Sequence, residues 1–110
     1  MNKVSLDAII REQQAKAATA SSQRASTTVY GGHEKVLRQT VIALVAGSSL
    51  AEHDSPGEAT VHVLRGRVRL VSGEATWEGR SGDLITVPPE PHSLDALEDS
   101  AVLLTVAKSG

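Results

Sequence analysis

Apolar residues recur along this chain with two different periods. Near the N-terminus Leu6, Ile9, Ile10, Gln13 and Ala17 fall on one side of a helix. Ser5 stands where a capping hydroxyl belongs, and Asp7 lies in the first turn, where a carboxylate suits the helix dipole. The stripe is narrow and its second half offers mainly alanine. Such a helix is marginal alone and needs a docking surface, on its own chain or on a second subunit. The serine-rich run 21–26 reads as a flexible connector. From residue 27 the period shortens to that of β-strands, with β-prone segments at 27–30, 36–46, 60–64, 67–71, 75–78, 84–87, 92–97 and 101–107. Turn signals separate them: Gly31-Gly32, Gly47-Ser48-Ser49, Pro56-Gly57, Gly66, Ser72-Gly73, the glycines at 79 and 82, Pro88-Pro89 and Glu98-Asp99. Many short strands at this spacing predict an all-β sandwich or barrel rather than βαβ units. The organisation expected is a helical arm and linker over 1–26 and a β domain over 27–110.

Composition narrows the chemistry. A chain of 110 residues suits one domain with a modest core. Tyr30 and Trp77 are the only aromatics, so that core must be built from Val, Leu, Ile and Ala. There is no cysteine, which excludes disulfides, thiolate catalysis and Cys-based metal sites. The net charge of −2 gives no reason to expect nucleic acid or an anionic membrane as partner. No apolar run approaches the length of a membrane span, and the N-terminus lacks the basic-then-apolar pattern of a secretory signal. A soluble cytoplasmic protein is the expectation.

Two stretches carry the candidate chemistry. In the first, Gly47 is followed after five residues by His53, Asp54 and Ser55, then by Ala59 and, six residues on, Gly66. In the second, Gly82 leads through five residues to Pro88, and Pro89-Glu90-Pro91 leads to His92. Together, in this order and over about residues 35–107, they resemble the two motifs of the cupin superfamily. The gap before His92 is one residue shorter than the common form, and Glu90 stands where a glycine is usual. The resemblance implies a small cupin barrel of jelly-roll type with an N-terminal helical arm.

In metal-binding cupins three histidines and one carboxylate converge inside the barrel. Matched residue by residue, His53 takes the place of the first ligand and His92 of the last. Ser55 stands at the second histidine and Ala59 at the carboxylate. A hydroxyl is a poor ligand for the ions that suit imidazole, and a methyl group is none. Three residues could supply what is missing. Glu58 neighbours the carboxylate position but should point to the opposite strand face unless a bulge at Gly57 reverses it. His62 should also face away from Ala59. His33 reaches the barrel only if its loop folds over the mouth. The simpler reading makes His33 and His62 solvent or interface residues, and leaves His53 and His92 to bond each other, water or a ligand.

Other features have plain readings. Arg65, Arg67 and Arg69 suit a solvated outer face, although an anionic ligand or a dimer contact would also use them. Trp77 suits the cover of a barrel edge or the lining of its mouth. Residues 95–99 read as a strand end and turn. No nucleophilic triad or phosphate loop is present.

The leading expectation is a small-molecule-binding cupin without a tightly held metal, its pocket marked by His53, Ser55 and His92, forming a homodimer. A metal-dependent oxygenase or isomerase, with a divalent transition metal on His53 and His92, is the alternative. A dimeric structural or regulatory partner protein is the third.

Overall fold

The computed structural model describes residues 2–54 and 57–108. Helix α1 (Leu6–Thr19) is capped by Ser5, whose Oγ accepts a hydrogen bond from the Ala8 amide at 3.2 Å. Its buried residues are Ile10, Gln13 and Ala17. Ile10 packs on Val41 and Ala101, with Leu6, Ile9, Val29, Leu64 and Leu103 around them. Asp7 pairs with Arg65 at 2.7 Å. The docking surface is therefore this chain's own sheet, and the stripe requires no second subunit.

The connector expected over 21–26 is corrected. Residues 21 and 22 form a tight turn, Gln23 adopts φ +59°, and strand β1 (Arg24–Tyr30) begins at once. Arg24, Ala25 and Ser26 are extended because Leu44, Ala43 and Ile42 of β2 (Leu37–Leu44) offer them a ladder to complete. Pairing outweighs the weak local preference of serine.

The remaining strands are β3 (Ser49–His53), β4 (Gly57–Arg65), β5 (Arg67–Ser72), β6 (Ala75–Arg80), β7 (Leu84–Thr86), β8 (His92–Ala96) and β9 (Ser100–Lys108). They form two antiparallel sheets, β1-β2-β9-β4-β7 and β3-β8-β5-β6. Early and late strands thus lie side by side, β4 against β9 and β3 against β8, in jelly-roll fashion. Among the described residues no strand ladder joins the edges of the two facing sheets, so the barrel is open at two seams, β1 beside β3 and β6 beside β7. Strand β3 has no counterpart in the sequence pattern: Ser49-Leu50-Ala51-Glu52-His53 carries one large apolar residue, and only its pairing with β8 makes it a strand.

Alternation supplies the core. Ala59, Val61 and Val63 of β4 turn inward beside Ile42, Leu44, Val102 and Val106 of the same five-stranded sheet; Val68 and Leu70 of β5 and Leu94 and Ala96 of β8 meet them from the other sheet. Arg67 and Arg69 point outward from β5. Arg67 reaches Glu78 at 3.7 Å and Glu98 at 3.3 Å, and Arg69 reaches Asp95 at 3.4 Å. Trp77, opposite Leu70 in the ladder, is half-exposed on edge strand β6, beside Leu84, Ile85 and Thr86 of β7. Among the described residues no helix is long and apolar enough to cross a membrane.

Candidate functional site

Strand β3 positions His53 and strand β8 positions His92. The two are direct partners in the β3–β8 ladder, next to an irregularity between Leu50 and His53. Directly opposed side chains lie on the same sheet face, which brings the imidazoles together. Their ring centroids are 4.7 Å apart, with the planes tilted by 58°. His92 is buried, at 6% exposure, while His53 lies at the exposed rim.

Each ring is held by its own backbone. The Nδ1 of His53 lies 2.9 Å from the Ala51 carbonyl oxygen, and that of His92 2.9 Å from the Glu90 carbonyl oxygen. A carbonyl only accepts, so each Nδ1 carries the proton, and in the neutral ring Nε2 is left with its lone pair. Among the described residues no side chain or backbone group is recorded as bonding either Nε2.

The rings border a small cavity between the sheets. Ile42, Leu50, Val61, Leu70, Leu94 and Val102 supply apolar walls. Its volume is about 20 Å³, room for about one water. A larger trough of about 740 Å³ crosses the ends of β4, β7 and β9, but neither imidazole lines it. Leu50 is the wall residue that the pattern of apolar positions does not reveal, because it stands alone among polar neighbours on β3.

The other candidates do not join the pair. Ser55 lies outside the described residues. Ala59 is buried in the core, so the position that matches the family carboxylate carries only a methyl group. Glu58 is exposed on the opposite face of β4, and the β4–β9 register is unbroken from Gly57 to Val63, so no bulge there turns it inward. His62 shares that outer face, opposite Leu84 and Leu103. His33 is exposed in the turn after β1. Among the described residues no group of three His, Asp or Glu side chains is placed to hold a metal ion. Two imidazoles do not make the closed or three-ligand set that holds such ions tightly, so the residues described do not fit a resident metal.

No protein-family model matches the sequence, and no curated protein matches it. Solved structures do. A conserved protein of unknown function from Streptococcus pyogenes is 32% identical, with a TM-score of 0.73 over 83% of this chain and 79% of that one. An RmlC-like cupin protein from Desulfovibrio desulfuricans is 26% identical, with a TM-score of 0.67 over 76% of this chain and 81% of that one. Salicylate 1,2-dioxygenase from Pseudoaminobacter salicylatoxidans, solved as adducts with gentisate, is 22% identical, with a TM-score of 0.74. It matches over 93% of this chain, which spans only 31% of the dioxygenase.

Proposed function

We propose, for a chain that belongs to the cupin superfamily, that it binds a small organic molecule between its two sheets without a tightly held metal. The observation that carries this reading is the His53–His92 pair. Two imidazoles with fixed Nδ1 protons present hydrogen-bond acceptors at the edge of an apolar cavity, and Ala59 supplies no ligand atom where the family places a carboxylate. Apolar walls with a few polar groups are what a small-molecule site requires. The cavity as it stands is water-sized, so a ligand must open it or enter from beside it.

Elemental analysis tests the metal. Protein purified without chelator or histidine tag should carry well under one transition metal ion per chain. Near-stoichiometric metal, lost in both His53→Ala and His92→Ala, would overturn the reading and favour a metal-dependent enzyme.

A homodimer is part of the same proposal, and its support is edge strand β1 rather than the helical arm. From Ala25 to Thr28 this strand carries no charge, proline or bulge, the devices that commonly keep an edge from pairing. An antiparallel strand on a two-fold axis pairs with its own copy, which would join two five-stranded sheets into one.

A further inference from the structure

The seam between β1 and β3 holds a cleft that continues the cavity at the histidines. Its volume is about 330 Å³, within the range of ligand pockets. Ile42 and Leu50 line both spaces, so the apolar wall runs from one into the other. The outer part is polar: Ser22, Arg24 and Ser26 line it.

Among the described residues Arg24 is the one charged group that lines the cleft. Its Nη1 donates to the Ser49 carbonyl oxygen at 3.3 Å, which carries the guanidinium across the open seam from one sheet to the other. Arg65, Arg67 and Arg69 each have a carboxylate within 4 Å, whereas among the described residues Arg24 has none. The rest of its planar fork of donors is available for a carboxylate, which it suits in geometry as well as charge.

The direction of the strands fixes the other end. Strands β1 and β3 both run antiparallel to their neighbours from the turn end of β2, so β3 leads from Ser49, beside Arg24, to His53. Along the partner strand β8 the stretch that faces Ser49 to His53, from Asp95 to His92, spans about 10 Å at the usual strand rise. At that distance stand two imidazole Nε2 acceptors, which want a donor.

Resting on the reading that the space between the sheets takes a small molecule, we propose that its ligand is an amphipathic organic anion of this length. Its carboxylate sits on Arg24 with the Ser26 hydroxyl. Its flat apolar body lies over Ile42 and Leu50, and a hydroxyl at its far end donates to His53 or His92. The positioning of the anion at Arg24 is a selectivity device: a neutral analogue loses the charge-assisted bonds and keeps the rest.

Calorimetric titration of the full chain tests this with para-hydroxycinnamate, its primary amide and cinnamate. The acid should bind about tenfold more tightly than the amide, the worth of a charge-assisted pair. Arg24→Gln should bind acid and amide alike, at the wild-type affinity for the amide, and Arg24→Lys, which keeps the charge without the planar fork, should recover only part of the preference. Leu50→Trp should block all three probes, and circular dichroism should show each variant folded. Equal binding of acid and amide by the wild type, or equal weakening of both by Arg24→Gln, overturns the assignment to Arg24 while the small-molecule reading stands. Undiminished binding to Leu50→Trp overturns the cleft. If neither acid nor amide binds at millimolar concentration, the proposed ligand class is overturned, and a broad thermal-shift screen without a hit would remove the parent reading as well.

Discussion

Gly66 lies directly against Ser100. A β-carbon on Gly66 would overlap the Ser100 hydroxyl and the Asp99 carbonyl oxygen and stand 2.9 Å from the Ser100 Cα. The glycine also holds φ at +80°, a conformation other residues adopt at a cost. Ser100 is fully buried; its Oγ accepts from the Arg67 amide and lies within bonding distance of the Arg67 and Glu98 carbonyl oxygens. One glycine thus allows the β4–β5 turn to close on the start of β9. Gly66→Ala should cost at least about 3 kcal/mol from backbone strain and displacement together. Gly47→Ala, also at positive φ but with open space around its added carbon, should cost about 1 kcal/mol. Urea titrations of both variants measure the difference, and equal costs would mean that the Gly66–Ser100 contact is not tight.

The helix should be held by burial more than by charge. Ile10 is 2% exposed against Val41 and Ala101, so Ile10→Ala should cost about 2–4 kcal/mol. The Asp7–Arg65 pair is largely solvated, and Asp7→Asn should cost less than about 1 kcal/mol. Removing residues 2–20 should lower the unfolding midpoint, because Val41 and Ala101 would be uncovered. Denaturant midpoints check all three, and an arm deletion with unchanged stability would contradict the docking.

The two histidines should separate in their effect on folding. His92→Ala empties a buried position and removes the bond to the Glu90 carbonyl, for a loss of about 1–3 kcal/mol. His53→Ala alters an exposed residue and should cost under about 1 kcal/mol. Paired unfolding curves give the comparison; a larger effect at His53 would count against the observed burial.

Pairing through β1 predicts that a charge on that edge separates the subunits. Thr28 is exposed on β1, and Thr28→Lys should shift the chain from dimer to monomer in sedimentation velocity at micromolar concentration, with an unchanged unfolding midpoint for the monomer. A wild-type chain that sediments as a monomer would remove the dimer from the proposal.

Much of this molecule is written in short-range pattern. The helical spacing from Leu6 to Ala17, the cap at Ser5 and the alternation Arg67-Val68-Arg69-Leu70 are local properties, and local sterics and burial are enough to realise them. The spacing of Gly47, His53 and Gly66 with Gly82, Pro88 and His92 carries the family fold in the same way. Strand β3 and the first half of β1 are different. Neither has an apolar pattern of its own, and each becomes extended because a distant strand offers it a ladder, β8 in one case and β2 in the other. The site depends on those two strands. His53 meets His92 only through the β3–β8 register, Leu50 becomes a wall only on β3, and Arg24 reaches the seam only as the start of β1. His53 and His92 were legible in the sequence, whereas Leu50 and Arg24 were not; long-range hydrogen-bond pairing decided which residues would border the space between the sheets, because that pairing follows from the competition of all the strands for partners and not from any one segment.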